Sequence, residues 1–356
     1  MPSSIASEKP DTDLSGRDAD TARVVVGPRG APWRGVRSRL RQLRFWSGAG
    51  YLRETWDWIR CKDIQFARVG DLQRTLQMLD RASSLEASVG DAESPIFLLG
   101  NGWRTGSTLL QRILVTDPKL LLWGEPFGEM ALISELAEVL SRLSTFPDLE
   151  RRYAPEDVTA SPNTAAAMAK SWIATLYPHG THLRAALRSL LRLWLGQPAA
   201  ERGFSLWGFK EVRLGATEAT LLQWLYPNAR FVVLSRNPFD CYLSLSDSGW
   251  DHVYYRRPDI RVDSAAGFAR HWNRLAVGWS DLPASFPLVH IKYEDLVAGR
   301  VDFRKLESWL GLAVNEKEAL REVVGHTAVR RSLNWYERLI IKHEAGAGMR
   351  LLGYSE

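Results

Sequence analysis

Short apolar runs alternate along this chain with segments whose apolar residues recur every three or four positions. The apolar runs predict β-strands at 96–99, 120–123, 206–210, 231–234 and 288–291, of which 96–99 and 231–234 read as buried strands. The periodic segments predict amphipathic helices at 71–85, from 107, at 131–143, through 164–195, at 221–225, from 238 and at 265–279. Because strands that alternate with helices are typical of an α/β fold, we expect a central parallel sheet with helices on both faces.

The same pattern divides the chain into three parts. Residues 1–30 are polar with few large apolar side chains, which predicts a disordered tail. Residues 31–93 predict a basic, tryptophan-rich helical extension, and residues 94–356 carry the strand–helix pattern of the main domain. An insertion at about 145–200 is rich in predicted helix and lies outside a simple βαβ core. It is therefore a natural place for a substrate pocket or a lid.

An arginine-rich segment at 33–46 lies near the start of the extension. Its apolar residues have helical spacing, and no acidic residue occurs between residue 33 and Glu54. We favour a helix packed on the main domain with solvated arginines. The alternatives are a peripheral contact with an anionic membrane surface and a basic lip beside a binding site. Nucleic-acid binding would rest on this segment alone and is not expected.

The composition narrows the class of protein. The chain has 356 residues, with 46 lysines and arginines against 41 acidic residues and a net charge of +5. This mild charge suits an anionic ligand and does not require nucleic acid. The two cysteines, Cys61 and Cys241, argue against a disulfide framework or a structural zinc site. Because there is neither an apolar run of about 18 residues nor an apolar signal core, we expect a cytoplasmic enzyme.

The segment after the first predicted strand is a glycine loop, residues 100–106, which runs into a helix. Backbone N–H groups of such a loop and the positive end of the helix bind an anion. Asn101 stands where a nucleoside-triphosphate loop has its first glycine, Ser107 stands where that loop has its lysine, and Arg104 is the cation instead. The candidate anion-binding residues are Gly102, Trp103, Arg104, Thr105, Gly106, Ser107 and Thr108. A plain strand–turn–helix connection is the alternative.

A second candidate anion site follows the strand at 231–234. That strand ends in Ser235 and Arg236, where kinases and NTPases place an aspartate for magnesium. Arg236 and the hydroxyl group of Ser244 can reach a second anion. Two anion sites without a metal site indicate a ligand with two separate phosphate-type groups. The predicted fold is therefore α/β with a P-loop-like core, a central parallel sheet flanked by helices, the helical N-terminal extension and the helical insertion.

These motifs resemble those of the sulfotransferase family, whose donor is 3′-phosphoadenosine 5′-phosphosulfate (PAPS). Residues 104–108 resemble the 5′-phosphosulfate loop in its arginine variant, and residues 236–240 with Ser244 resemble the 3′-phosphate motif. Residues 292–296 resemble the recurrent Tyr-Glu-Asp-Leu segment that follows a late core strand. The resemblance covers the main domain and is closer to bacterial, tyrosylprotein and carbohydrate enzymes than to cytosolic steroid and phenol enzymes. The loop lysine and the glycine-rich C-terminal segment of those cytosolic enzymes are missing.

The resemblance implies transfer of a sulfonate group from PAPS to an acceptor hydroxyl, in line and without a metal ion. It implies a small-molecule or glycan acceptor, such as a saccharide, a glycolipid or a secondary metabolite. Arg236 and Ser244 would bind the 3′-phosphate, and Ser107 and Thr108 would bind the 5′-phosphate. Arg104 is the candidate for stabilising charge on the bridging oxygen. The sequence leaves the oligomeric state and the exact acceptor open.

Lys210 and Glu125 complete the implied catalytic set. Lys210 ends a predicted strand at the same edge of the sheet as the glycine loop, although it could instead be a surface lysine paired with Glu211. In the resembling tyrosylprotein and carbohydrate enzymes, a glutamate just after the second strand is the base. Desolvation beside Trp123 would raise the proton affinity of Glu125, which suits that role. The alternative bases are Glu129, His182 and His271.

Two rival functions differ in what they require. A P-loop kinase or NTPase needs a loop lysine and a magnesium-binding aspartate after a strand, and neither stands at the matching position. A non-catalytic nucleotide- or lipid-binding protein on the same fold would bind the donor without turnover. Titration with adenosine 3′,5′-bisphosphate (PAP) against ATP with magnesium separates the first rival from a sulfotransferase.

Overall fold

The structure, a computed structural model, describes residues 69–81, 93–127, 130–143, 180–248, 264–317 and 332–355. The predictions for the N-terminal tail, for the arginine-rich segment and for most of the insertion lie outside these residues. Cys61 and Glu129 also lie outside them.

Five parallel strands form one sheet in the order β2-β3-β1-β4-β5. They are β1 Ile96–Gly100, β2 Leu120–Trp123, β3 Leu206–Glu211, β4 Arg230–Ser235 and β5 Leu288–Lys292. All five residues of β1 are buried, as are five of the six residues in β3 and in β4. Because a strand covered on both faces needs apolar residues at successive positions, the apolar runs account for this arrangement. The predicted α/β fold with a parallel sheet is confirmed.

Helices cover both faces of this sheet. In the described residues they are α1 Val69–Arg81, α2 Ser107–Leu114, α3 Leu132–Leu143, α4 Gly180–Leu191, α5 Gln197–Glu201, α6 Ala216–Leu225, α7 Pro238–Ser248, α8 Ala265–Gly278, α9 Tyr293–Val297, α10 Phe303–Leu310 and α11 Trp335–Leu352. A π-helical turn, Arg192–Gly196, joins α4 to α5.

Side chains at alternate strand positions are buried against different helices, because successive residues of a strand point to opposite faces. Phe97 and Leu99 of β1 belong to a core that includes α1, α3, α4 and α6. Ile96 and Leu98 belong to a core with α2, α9 and α10. A third core joins α7, α8 and α11 and includes Trp103 of the glycine loop. The loop after β1 is therefore anchored in this third core.

The carboxyl ends of the three central strands lie at one level. Leu99 of β1 is opposite Glu211 of β3, and Gly100 is opposite Leu234 of β4. Strands β3 and β2 lie on one side of β1, and strands β4 and β5 lie on its other side. The order in which the chain adds strands to the sheet therefore reverses at β1. Such a switch in strand order opens a crevice at the carboxyl ends, which is the usual ligand site of an open α/β sheet.

Helix α1 precedes the first strand and packs against α3 and α6. Its apolar stripe is buried, since Leu72 and Leu79 are 0% exposed and Leu76 is 4% exposed. The last helix of the predicted extension is therefore an integral part of the core on one face of the sheet.

Candidate functional site

The glycine loop turns sharply by means of left-handed backbone at three positions. Gly102 and Gly106 have φ angles of +90° and +87°, and Arg104 has a φ of +64°. A non-glycine residue in this conformation costs roughly 1–2 kcal/mol, so the fold holds Arg104 in a strained position. The backbone N–H of Asn101 donates to the carbonyl oxygen of Leu234 at 2.8 Å, which ties the loop to the end of β4.

The glycine loop delivers the chain into the N-terminus of α2. Gly106 is the N-cap, and its carbonyl oxygen accepts the N–H groups of Leu109 and Leu110. The N–H groups of Ser107 and Thr108 come before the first intrahelical hydrogen bonds and carry the positive end of the helix dipole. With a glycine as the cap, these groups face a ligand rather than a capping side chain. The loop and the helix start thus have the geometry of an anion site.

The structure brings the two predicted anion anchors together. Arg104 Nε donates to Ser244 Oγ at 3.0 Å, and Arg236 donates to the carbonyl oxygen of Arg104 at 3.2 Å. Arg236 Nε is buried and has no hydrogen-bond partner among the described residues. Two guanidinium groups and a hydroxyl group therefore lie at the junction of the loop, β4 and α7.

Tyr293 supports this junction and was not predicted to belong to the site. The Arg236 guanidinium lies 4.4 Å from the centroid of the Tyr293 ring. A Cβ atom on Gly106 would lie 2.3 Å from Cδ2 of the same ring. Gly106 is therefore required both by its φ angle and by close packing against Tyr293. The sequence signal was the tyrosine of the 292–296 segment, which directly follows β5 and begins α9.

Glu125 and Lys210 form a partly buried ion pair on the other side of the loop. Lys210 Nζ lies 2.5 Å from Glu125 Oε1, and Arg213 lies 2.9 Å from Glu125 Oε2. The side chains of Lys210, Arg213 and Glu125 are 8%, 17% and 27% exposed. Lys210 thus pairs with Glu125, whereas the alternative drawn from the sequence was a pair with Glu211. Both oxygens of Glu125 contact cations, so its surroundings are not the apolar ones expected from Trp123.

Arg213 connects this ion pair to the glycine loop. Its guanidinium pairs with Glu211 and lies 5.6 Å from the centroid of the Trp103 ring. Trp103 directly precedes Arg104 in the glycine loop. Glu211 is 1% exposed, and burial raises the pKa of its carboxyl although Arg213 opposes the shift. Arg213 was not predicted from the sequence to belong to the site. Its position two residues after the end of β3 was the available signal.

The other candidate bases have less suitable positions. His271 is 4% exposed, and burial together with the positive charges of Arg274 and Arg213 holds its pKa well below the usual range. Its ring lies 5.0 Å from the ring of Trp103, so His271 packs against a residue of the glycine loop. His182 is exposed on α4. Glu129 lies outside the described residues.

The C-terminal residues brace the end of β4. The Tyr354 hydroxyl group lies 2.8 Å from Ser235 Oγ and donates to Glu294 Oε2 at 3.1 Å. Glu294 Oε1 accepts the backbone N–H of Asn237 at 2.9 Å. Glu294 thus joins the C-terminal Tyr354 to the backbone that follows β4. These bonds hold the turn that positions Arg236.

Two further properties concern the described part of the chain. Within it, no three or more histidine, cysteine, aspartate or glutamate side chains are grouped so as to hold a metal ion. No helix in the same residues combines the length and apolar character needed to cross a bilayer.

Comparison with protein-family models gives a match to the description "Sulfotransferase family" over residues 95–316. A sulfotransferase from Alicyclobacillus acidocaldarius is 14% identical, with a TM-score of 0.37, over 74% of this chain and 98% of that one. Sulfotransferase STF1 from Mycobacterium tuberculosis H37Rv is 17% identical, with a TM-score of 0.37, over 78% and 81%. Mouse sulfotransferase SULT7A1, solved with PAP, is 12% identical, with a TM-score of 0.31, over 78% and 93%. A search of curated proteins found no match.

Proposed function

Because this chain belongs to the sulfotransferase family and its activity is sulfonate transfer, we propose that its donor is PAPS and its acceptor a hydroxyl group on a small molecule or glycan. The observation that carries this proposal is the convergence of two anion anchors on one glycine loop. Arg104 reaches Ser244 at 3.0 Å, and Arg236 reaches the backbone of Arg104 at 3.2 Å. A ligand with phosphate groups at both ends of one ribose fits two such adjacent anchors.

The donor-binding roles follow from these positions. Residues 102–108 supply loop N–H groups, the helix start and two hydroxyl groups for the 5′-phosphosulfate. Arg236 and Ser244 bind the 3′-phosphate by charge-assisted hydrogen bonds. Tyr293 and Glu294 hold Arg236 and its turn in place. These assignments make Arg236 and Ser244 the residues that distinguish PAPS from a donor without a 3′-phosphate.

The transfer step needs a base, a charge stabiliser and no metal ion. Glu125 takes the proton of the acceptor hydroxyl group while the acceptor oxygen forms a bond to sulfur. The bond from sulfur to the 5′-phosphate oxygen breaks, and its electron pair stays on that oxygen. Arg104 and Lys210 stabilise the charge that develops there, as fixed cations do in a water-poor site. The Lys210–Glu125 contact places the base and one of these cations side by side.

A magnesium-dependent kinase is disfavoured by the chemistry of the donor set. The loop carries Ser107 where a nucleoside-triphosphate site has its lysine, and its cation is Arg104 instead. Strand β4 ends in Ser235, followed by Arg236, rather than in an aspartate. Cations at both anchors neutralise a ligand directly, so a bound divalent cation would be repelled from them.

Calorimetric titration with PAP tests the donor assignment. We expect PAP to bind in the presence of a chelator and more tightly than ATP with magnesium. Ser244→Ala should weaken PAP binding by roughly 10- to 150-fold, the cost of one hydrogen bond to a charged group. It should leave the affinity for adenosine 5′-phosphosulfate, which lacks the 3′-phosphate, unchanged.

Ser246→Ala is the matched control, because Ser246 lies on the same helix and its hydroxyl group bonds to Leu243 within that helix. Equal losses for PAP and for adenosine 5′-phosphosulfate would show that Ser244 does not read the 3′-phosphate. Binding that depends on magnesium would overturn the proposal. Binding of PAP without sulfonate transfer to any acceptor would favour a non-catalytic protein.

A further inference from the structure

A cleft of about 840 Å³ opens beside Arg213, between helices α1, α3, α6 and α8. Its volume lies within the range of small-molecule sites, which is about 300–1,000 Å³. Helix α1 supplies Gln73 and Arg74 to one wall, and α3 supplies Glu138. The opposite wall comes from the start of α6 and from the C-terminal half of α8. Nothing in the proposed donor site uses this cleft.

Arg213 joins the cleft to the candidate base. Its side chain lines the cleft, and the same guanidinium lies 2.9 Å from Glu125 Oε2 and 5.6 Å from the centroid of the Trp103 ring. Trp103 is the neighbour of Arg104 in the glycine loop. Arg213 therefore contacts the cleft on one side and, on the other, both the candidate base Glu125 and Trp103 of the glycine loop.

The lining of the cleft favours one chemical class of ligand. Charged side chains of both signs line it: Asp71, Arg74, Glu138, Arg213, Glu218, Arg274 and Asp281. A lining of mixed sign produces no strong field of one sign, so it selects neither a polyanion nor a polycation. The described lining residues include no aromatic side chain that could stack on a phenol or a steroid. Closely spaced donors and acceptors suit a neutral molecule with many hydroxyl groups.

Two polar side chains of the lining, Glu218 and Asn273, are already oriented by hydrogen bonds to the backbone. Glu218 Oε2 accepts the backbone N–H of Gly215 at 2.8 Å and so caps α6. Asn273 lines the cleft from α8, and its Oδ1 accepts the backbone N–H of Gly348 at 2.7 Å. Polar groups held in this way lose little conformational entropy when a ligand binds, which favours a specific site.

One wall of the cleft comes from outside the region that matches the family. The match begins at residue 95, whereas α1 spans Val69–Arg81. Because α1 is packed into the core through Leu72 and Leu79, its polar face is held rigidly over the cleft. If α1 selects the ligand of the cleft, that selection depends on residues outside the region that matches the family.

We propose that this cleft binds the sulfonate acceptor, that the acceptor is a neutral polyhydroxylated molecule such as a glycoside, and that α1 determines its selection. This inference rests on the proposed function, since the acceptor must meet Glu125 and a donor bound at the glycine loop. Gln73 is the specificity-determining residue on α1 that offers the clearest test.

The experiment compares Gln73→Trp with Gln77→Trp in the full-length protein. Gln73 lines the cleft, whereas Gln77 lies one turn along the same helix, is exposed and is not part of the lining. Initial rates of labelled sulfonate transfer from PAPS are measured with maltose, 2-naphthol and a sulfated disaccharide as acceptors. PAP affinity is measured on the same samples by calorimetry.

We expect transfer to maltose in preference to the other two acceptors. Gln73→Trp should raise the KM for maltose by roughly tenfold or more, because the indole fills space that the sugar needs. Gln77→Trp should leave that KM unchanged, and both variants should bind PAP like the wild type. A preference for 2-naphthol or for the sulfated disaccharide would overturn the acceptor class. Equal kinetics of the two variants would overturn the cleft as the acceptor site.

These outcomes are separate from a failure of the proposed function. If PAP does not bind the wild-type protein, the donor assignment fails before the cleft is tested. If PAP binds and sulfonate reaches maltose, the ratio of the two tryptophan variants alone decides whether the acceptor occupies the cleft.

Discussion

At the scale of single residues, Arg104 combines strain with two contacts. Its backbone has a φ of +64°, its carbonyl oxygen accepts from Arg236, and its Nε donates to Ser244. Left-handed backbone at a charged residue is expected where function needs it, since strain persists only if surrounding contacts over-determine the conformation. The sequence identified Arg104 as the loop cation. Its strain and its contact with Ser244 depend on residues 140 positions away and could not be read from local pattern.

The role of Glu125 gives the first residue-scale prediction. Glu125→Gln keeps the size and one oxygen acceptor but removes the proton-accepting carboxylate. Turnover should fall by about 10²- to 10⁴-fold, the usual contribution of a positioned base, while PAP affinity stays near that of the wild type. Single-turnover transfer of labelled sulfonate, with calorimetry of PAP, measures both quantities.

Lys210 and Arg213 would lose their shared anion in this variant, so the folded fraction must be checked by circular dichroism. An unchanged rate would move the base to another residue, and Glu129→Gln and His182→Ala would then identify it.

The buried imidazole of His271 gives a pH prediction. Burial and neighbouring arginines keep it neutral in the folded protein, whereas the unfolded chain binds a proton near pH 6.5. Because the unfolded state then binds more protons, the free energy of unfolding falls as the pH drops below about 6.5, by about 1.4 kcal/mol per pH unit for this group. His271→Phe retains a ring beside Trp103 and should flatten the pH dependence between pH 5 and pH 6.5.

Urea denaturation at several pH values measures this effect. His343→Phe is the control, because the His343 side chain is 75% exposed and should leave the slope unchanged. The same slope in wild type and His271→Phe would show that another group governs acid stability.

At the scale of elements, the glycine loop and α2 depend on Gly106. Gly106→Ala combines an unfavourable φ of +87° with a contact of 2.3 Å between the new Cβ and the Tyr293 ring. Gly203→Ala has the same φ of +87° but no atom within 4 Å of the new Cβ, so it isolates the backbone cost. That cost should be about 1–2 kcal/mol at either position.

Gly106→Ala should lose more stability than Gly203→Ala and should also weaken PAP binding, because the Tyr293 ring must move away from Arg236. Thermal unfolding measures the stability of the two variants, and calorimetry measures their affinity for PAP. Equal stability losses and unchanged PAP affinity in both would mean that Tyr293 does not fix the anion site.

The strands show what the sequence pattern predicts well. Apolar residues occupy successive positions at 96–99 of β1 and 231–234 of β4, whereas β3 ends in Lys210 and Glu211. The observed ends of these three strands differ from the predicted ones by at most one residue. A short apolar run bounded by turn residues is typical of a strand covered on both faces, so the local pattern together with its flanking residues was sufficient here.

The ion pairs of the site show what the sequence pattern does not predict. Arg213, Glu211 and Lys210 are neighbours on β3 and just after it, and the chain offered several pairings among them. Only the order of β2, β3 and β1 places Glu125 beside Lys210 and leaves Glu211 to Arg213. Tyr354 is a similar case, since its bonds to Ser235 and Glu294 join segments more than 50 residues apart.

At the scale of the whole molecule, the matched region is not the complete fold. Helix α1 lies before residue 95, yet its apolar stripe belongs to the same buried core as Phe97 and Phe231. A core shared in this way couples the stability of the sheet to a helix outside the family region. The buried core on this face of the sheet therefore includes α1 as well as residues after position 94.

Deleting residues 1–92 should destabilise the protein, because removal of α1 exposes the face of the core that it covers. Leu72→Ala and Leu79→Ala test the same contact without truncation. Each should lower the free energy of unfolding by about 2–5 kcal/mol, the usual cost of a large-to-small change at a buried leucine.

Leu339→Ala is the control, since Leu339 is 56% exposed on α11 and should change stability by less than about 0.5 kcal/mol. Deleting residues 1–29 should also leave stability unchanged. Denaturant unfolding of all five proteins measures these values, and a chain lacking residues 1–92 with wild-type stability would show that α1 is dispensable to the core.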